Sequence, residues 1–461
     1  NRIYITKQYQ EEDDTASMIA RKLYERIPVL TIEKELEEAQ EDLNITLSEQ
    51  QKEAVRMVFA NPISIITGGP GTGKTTVLKI ILYIYQKKCG NEVKLMAPTG
   101  RAARRMAEST GSGDATTMHM ALGLFGDGDY EALIDELSAD FINVDEVSMV
   151  DMHLAYEFFY KVKAGARVLL IGDVHQLPSV GAGDVFRQLI LCGKIPVTVL
   201  NLVYRQGKDS NIPINAQLIN EGKTNLQWGD DFQMVECSGA DAAAQIVKNI
   251  YLKEIQMYGM EQVQILSPYK VRSAAGVLEL NRSLQDEVNP PVSGKRELHL
   301  GGEIFREGDR ILQNKNTEFA SNGDLGTLVQ IAEDEDNNPL VQIVFTDGRR
   351  VKYEAEQVEM IEHANAITIH KSQGSECQVV IIPWLKAFYP MLKRNIFYTG
   401  ITRAKQRVYI VGEWKAVCQA IHTDDTGTRK TMLAVKIQQY CERYQRQENR
   451  RIPATICNRA V

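Results

Sequence analysis

Apolar residues along this chain fall into two patterns. Short unbroken apolar runs end in glycine, proline or aspartate. Examples are Ile63-Ser64-Ile65-Ile66-Thr67, Val93-Lys94-Leu95-Met96-Ala97, Phe141-Ile142-Asn143-Val144 and Ala166-Arg167-Val168-Leu169-Leu170-Ile171. Such runs read as strands buried on both faces. Between them apolar positions recur at helical spacing, as in Val77-Leu78-Lys79-Ile80-Ile81-Leu82. The alternation predicts an α/β fold.

The pattern also divides the chain. Residues 1–45 read as a helical preface, with Ala16-Ser17-Met18-Ile19-Ala20-Arg21-Lys22-Leu23 periodic and Ile32, Leu36 and Ala39 at helical spacing through a charged run. Residues 46–196 form a first α/β domain. A second occupies 197–296 and 363–434, with strands at Val263-Gln264-Ile265-Leu266, Ala366-Ile367-Thr368-Ile369, Val379-Val380-Ile381-Ile382 and Val408-Tyr409-Ile410-Val411 and a helix at 274–285. Between its halves, 297–362 changes to short alternating runs with Gly, Asn and Asp turns, which predicts a small antiparallel barrel or hairpin set. Residues 122–140 carry Gly126-Asp127-Gly128-Asp129, a hairpin signal inside the first domain. Residues 435–461 read as a C-terminal tail.

Composition narrows the class. Of 461 residues, 44% are hydrophobic and 25% charged, which suits a globular protein. No apolar run is long enough to span a membrane. The seven cysteines are scattered and never spaced C-x-x-C, which argues against a disulfide framework or zinc site and fits a reducing cytoplasm. A net charge of −7 disfavours a passive nucleic-acid coat but leaves room for a local basic groove. The chain begins with Asn1 rather than Met, so a piece of a longer protein is expected.

The chemistry centres on Gly68-Gly69-Pro70-Gly71-Thr72-Gly73-Lys74-Thr75-Thr76, which fits G-x-x-x-x-G-K-[ST] between an apolar strand and an apolar helix. Glycines let backbone N–H groups turn toward phosphate oxygens, and the helix start adds its positive end. Lys74 can reach the β- and γ-phosphates of ATP, and the Thr75 hydroxyl can ligate Mg²⁺. After the strand at 141–144, Asp145 would hold the Mg²⁺ shell and Glu146 would activate the attacking water. Gln176, beyond another buried strand, is placed to sense the γ-phosphate. Gln51 reads equally as the capping-box partner of Ser48 or as an adenine-reading carboxamide. Thr99 and the arginines after it read equally as a polynucleotide-phosphate site or as a solvated basic helix. Thr117 and His119 offer a hydroxyl and an imidazole on a loop.

In order and spacing these motifs resemble the superfamily 1B DNA helicases of the RecD type, the exodeoxyribonuclease V alpha-subunit family with its stand-alone members. The resemblance runs from about residue 2 to 434. It implies two RecA-like P-loop NTPase domains, a β-hairpin pin at 122–140 in the first and an SH3-like barrel at 297–362 in the second. Gln51 then matches the adenine reader, Tyr204 the residue stacking on adenine, and Glu376 of His370-Lys371-Ser372-Gln373-Gly374-Ser375-Glu376 the ribose contact. Arg205, and Arg403 of Tyr398-Thr399-Gly400-Ile401-Thr402-Arg403-Ala404-Lys405, match two arginine fingers. Thr99, Thr117, His119, Pro178, Asn316, Asn322, His370, Lys371 and Ser372 match nucleic-acid contacts.

The activity the resemblance implies is ATP-driven 5′ to 3′ movement on single-stranded DNA with strand separation, in repair or recombination. Expected partners are single-stranded DNA, 5′-tailed duplex, and single-strand-binding or recombination proteins, for a monomer in the bacterial cytoplasm and away from membranes. Some residues depart from the family pattern. Met120 stands where a basic residue is usual, the pin region is acidic, Gly400 replaces a more usual alanine, and the family's N-terminal helix-hairpin-helix domain is not among these residues. Two other readings compete. One is a DNA- or partner-holding subunit of a recombination nuclease complex with little unwinding of its own; the intact Lys74, Asp145, Glu146, Gln176, Arg205 and Arg403 count against it. The other is a small-molecule phosphotransferase using the loop alone, which the two matched arginines disfavour. No clustered carboxylate–lysine nuclease motif is visible, so nuclease activity is not expected.

Overall fold

A computed structural model describes residues 5–451 except 91, 114, 125–133, 202–209, 318, 334–337 and 426. Tyr204, Arg205, residues 125–133 of the expected pin and the tail from 452 onward lie outside the described residues.

Six parallel strands build the first sheet: β1 (Ile63–Gly68), β2 (Val93–Ala97), β3 (Ala115–Thr117), β4 (Phe141–Val144), β5 (Arg167–Gly172) and β6 (Val197–Leu200). Their order is β3-β2-β4-β5-β1-β6. Every residue of β1, β4 and β5 is buried, because helices cover both faces. That double burial is why these strands read as continuous apolar runs. β6 corrects the boundary drawn at 196/197. It pairs with β1 (Ile65 opposite Val197), so it closes the first sheet rather than opening the second.

The second sheet is also parallel. It comprises β7 (Phe232–Glu236), β8 (Val263–Ser267) and three strands that follow an insertion. The insertion holds β9 (Glu297–Leu300), β10 (Glu303–Arg306), β11 (Arg310–Gln313), β12 (Leu325–Glu333), β13 (Pro339–Phe345), β14 (Arg350–Tyr353) and β15 (Ile361–His363). β9 and β10 form a hairpin, and the other five an antiparallel sheet ordered β14-β13-β12-β11-β15. This unit has its own core of Phe305, Ile311, Leu328, Val341, Ile343, Phe345 and Tyr353. The chain then supplies β16 (Ala366–Thr368), β17 (Cys377–Trp384) and β18 (Ala404–Gly412), giving the order β16-β8-β17-β18-β7. β7 escaped the sequence reading because it lies at the sheet edge, where only Phe232 is buried.

The two ends of the described chain meet on the first lobe. Helix Thr6–Leu23 packs against helix Leu433–Arg451. Ala16, Ile19 and Ala20 share one core with Leu433, Ala434, Ile437 and Cys441. Buried Glu12 accepts from the Thr431 hydroxyl at 2.6 Å and lies 3.4 Å from Lys436 Nζ. The segment read as a tail therefore begins as a docked helix. Among the described residues no helix is long and apolar enough to cross a membrane.

Candidate nucleotide and nucleic-acid site

The phosphate loop leaves the C-terminal end of β1 and enters helix Lys74–Cys89, where ligands collect in open α/β sheets. Gly71 and Gly73 take φ of +76° and +84°, the left-handed region that glycine adopts without penalty. A Cβ on Gly68 would lie 2.7 Å from the Leu200 carbonyl oxygen, so the loop packs directly on β6. Lys74 Nζ donates to the carbonyls of Gly68 (2.6 Å) and Gly69 (2.9 Å), which places its ammonium in the bowl of the loop. Thr75 is exposed at the first turn of the helix. Gln51 is both a cap and a neighbour of the loop: its Oε1 accepts from Ser48 N at 3.0 Å, and its Nε2 donates to the Thr72 carbonyl at 3.3 Å. The structure thus shows the capping role and sets the same side chain against the phosphate loop.

Asp145 and Glu146 follow β4, close enough to the loop for the Lys74 charge to be felt at Asp145. Glu146 has φ of +51°, rare for a side chain with a Cβ, and its N–H donates to Asp145 Oδ1 at 2.8 Å. Burial, and then the Glu146 charge beside it, push the Asp145 carboxyl up to about 6. Gln176 is buried beyond β5 and donates to Asp173 Oδ2 at 3.4 Å.

The second lobe reaches this machinery directly. Tyr398 donates its phenol proton to Asp173 Oδ2 at 2.8 Å, and a Cβ on Gly69 would lie 3.2 Å from that phenol oxygen. Burial, and then Asp173, hold the phenol well above its ordinary pKa, so it stays a neutral donor. Leu177 N donates to Thr399 Oγ1 at 3.0 Å, and Gln373 Nε2 donates to the Leu177 carbonyl at 3.0 Å. Arg105 of the first lobe pairs with Glu376 of the second at 2.6 Å, and its charge is felt at Asp145 and Glu146. Arg403 is buried and held within its own lobe by the carbonyls of Thr399 (3.2 Å) and Ser375 (3.3 Å).

Three family models match in chain order: an AAA domain over 46–240, an ATP-dependent RecD-like DNA helicase SH3 domain over 280–345, and a UvrD-like helicase C-terminal domain over 363–411. The middle match falls on the inserted antiparallel unit, and the outer two on the parallel lobes. These matches make the chain similar to the RecD-like helicases. It is 34% identical over 370 residues to the ATP-dependent RecD2 DNA helicase of Deinococcus radiodurans, covering 80% of this chain and half of that relative's length. It is 27% identical over 463 residues to the RecBCD enzyme subunit RecD of Haemophilus influenzae, covering 83% of this chain and 72% of that one. The fold is also that of the Pif1 helicase from Candida albicans, with a TM-score of 0.50 and 18% identity over 88% of this chain and all of that one.

The positions that the resemblance matches to nucleic-acid contacts divide into two groups. Pro178 and His370 line a cleft of about 390 Å³ between the lobes, with Gln176, Arg187, Lys393 and Asn395. Burial, and then Lys393, push His370 below its ordinary pKa, so its ring is neutral at neutral pH. Burial also lowers Lys371. The Ser372 hydroxyl is buried and donates to the Ile369 carbonyl at 2.7 Å. Asn316 and Asn322 lie exposed on one loop of the inserted unit, with Asn322 N donating to Asn316 Oδ1 at 2.8 Å.

The other group caps helices of the first lobe. Thr99 caps helix Gly100–Thr110 and Thr117 caps Met118–Ala121. Thr99 is also covered: a Cβ on Gly374 would meet its hydroxyl at 3.3 Å, and one on Gly100 would run into Ser321 of the insertion. Arg101 and Arg104 next to it bond Gly323 and Asp324 of the same unit. His119 and Met120 are exposed. Sequence reasoning flagged the basic run but not that Arg105 would meet Glu376, nor that Tyr398, Thr399 and Gln373 would hold the first lobe. Such pairings join residues more than 190 positions apart, and periodicity carries no signal for them.

Proposed function

We propose that this chain is an ATP-driven DNA translocase and helicase that moves 5′ to 3′ on single-stranded DNA in the bacterial cytoplasm, serving repair or recombination. One observation carries the reading. The stretch from Asp173 to Leu177, which holds Gln176, is hydrogen-bonded by Tyr398, Thr399 and Gln373 of the opposite lobe. A change of state at the γ-phosphate is therefore a change at the lobe interface.

The residues divide the work. The loop from Gly69 to Thr76 cradles the phosphates and Lys74 neutralises them, while Gln51 and Tyr204 bracket the adenine and Glu376 meets the ribose once Arg105 releases it. Glu146 orients and deprotonates the attacking water. Gln176 reads the γ-phosphate. Arg205 and Arg403 neutralise transition-state charge as the lobes close, an effect on the order of 10³–10⁵ in rate. Arg403 must first leave the carbonyls of Thr399 and Ser375.

The residues present fit Mg²⁺. Thr75 and Asp145 supply two oxygen donors, and Asp145 is a desolvated carboxyl that a cation would favour in its charged form. An ion held there would take its other oxygens from ATP and water. When bound, Mg²⁺ neutralises phosphate charge.

Thr99, Thr117 and His119 on one lobe, and His370, Lys371 and Ser372 on the other, grip the strand at two places with Pro178 between them. Asn316 and Asn322 flank it. Alternating grip during closure and reopening produces steps. The deciding experiment is unwinding of a duplex bearing a 5′ or a 3′ single-stranded tail: activity on the 5′ tail is expected, and activity on the 3′ tail alone overturns the polarity. A chain that hydrolyses ATP only without DNA dependence overturns the motor.

A further inference from the structure

The loop 178–184, between Gln176 and helix Val185–Leu191, is tied from outside its own lobe. Arg429 lies on the strap that runs from helix Trp414–His422 of the second lobe to helix Leu433–Arg451 on the first. Its guanidinium donates to three carbonyls of that loop: Ser179 at 2.6 Å, Gly181 at 2.8 Å and Gly183 at 2.7 Å. These are short, charge-assisted bonds, and the planar fork can serve several carbonyls at once.

The strap is stapled at both ends. On the second lobe, Arg394 pairs with Asp424 at 3.0 Å and Lys393 with Asp425 at 2.9 Å. On the first, Thr431 and Met432 N bond Glu12. Leu177, immediately before the loop, is held by Thr399 and Gln373. A first-lobe loop, held to its own lobe where Met152 N donates to the Ala182 carbonyl at 2.9 Å, is thus also fixed by second-lobe and strap residues on both sides of Pro178.

We propose that Arg429 is a positioning residue that transmits DNA occupancy of the cleft to Gln176 by fixing the loop 178–184 relative to the strap. This rests on the motor reading. Without the fork, Pro178 still meets a strand in the cleft, but its displacement is taken up by the loop instead of being passed to Gln176.

The test is steady-state ATP hydrolysis by the full chain, with and without single-stranded DNA, for wild type, Arg429→Ala and Arg429→Lys. Both variants are expected to lose about tenfold of the DNA-stimulated kcat. DNA-independent turnover and KM for ATP should stay within twofold, with stimulation measured at saturating DNA because Arg429 also lines the cleft. Lysine does not rescue, since one ammonium does not reproduce the fork. If Arg429→Ala does not fold, Thr431→Val, which loosens the strap at Glu12 and leaves Arg429 in place, should reduce the stimulation ratio to a smaller degree, and an unchanged ratio there overturns the assignment. A stimulated wild type with an equally stimulated Arg429→Ala overturns it, as does an equal fall in basal and stimulated rates. A wild type that hydrolyses ATP without DNA stimulation overturns both this assignment and the motor reading.

Discussion

The two lobes share an architecture and differ in chemistry. Each is a parallel sheet in which successive apolar strands alternate with helices. In the first lobe the turn after β1 is Gly-rich and ends in Lys74, and the turn after β4 carries two acids. In the second, the turn after β8 runs from Pro268 to Gly276, with a single glycine, at the helix N-cap and at negative φ, and no lysine after it. The second lobe instead sends Tyr398, Thr399, Gln373 and Glu376 across the interface. Similar frames thus divide into one lobe that carries the phosphate loop and one that reaches across to it, and the division lies in the loops at the strand ends.

The largest test of this division removes the charge that the second lobe supplies. Arg403→Ala should lower DNA-stimulated kcat on the order of 10³-fold or more while ATP binding changes little. Stopped-flow phosphate release checks the first and a fluorescent nucleotide analogue the second; a loss confined to binding would make the lobes equal partners in affinity. Next, Lys74→Ala should reduce hydrolysis on the order of 10²–10³-fold and leave single-strand affinity within a few-fold. Hydrolysis surviving that change would remove the loop from the mechanism.

A third test uses pH. Asp145 stands at about 6 in the folded protein, above its unfolded value, so its protonated form is the one the fold favours. Its contribution to stability is present at acid pH and lost as pH rises through about 6, while its ability to hold Mg²⁺ appears over the same range. ATPase should therefore climb as pH rises through about 6, with the midpoint falling as Mg²⁺ increases. Asp145→Asn should abolish that limb of the profile and should not lose stability across it.

The smallest expected effect is on the interface itself. Tyr398→Phe removes one buried hydrogen bond to Asp173, worth about 1–3 kcal/mol. It should lower the melting temperature by a few degrees and weaken DNA stimulation several-fold. An effect on basal turnover as large as on stimulated turnover would mean that Tyr398 serves the first lobe alone.

What could be read in advance follows from how far apart the interacting residues lie. β1, β4 and β5 announce themselves because double burial writes a local apolar run, and the phosphate loop because backbone curvature demands glycine at fixed offsets. The inserted unit was legible from alternation and turn residues. The edge strands were not. β6 was read into the wrong lobe because nothing local says which sheet a four-residue strand will join, and β7 was missed because one buried residue makes no pattern. Among site residues, Lys74, Asp145 and Gln176 follow strands and could be placed. Arg105, Tyr398 and Arg429 take their meaning from partners far along the chain, and the helix after 433 looked like a tail because its partner is helix Thr6–Leu23.

That last pairing bears on how the protein is made. Leu433, Ala434, Ile437 and Cys441 belong to the core of the first lobe, together with Ala16, Ile19 and Ala20. A ribosome delivers the two groups more than 400 residues apart, at roughly 5–20 residues per second. For tens of seconds the first lobe exists with one side of its core uncovered, while the whole second lobe is still being synthesised. A helix made only after the whole second lobe thus completes the core of the first.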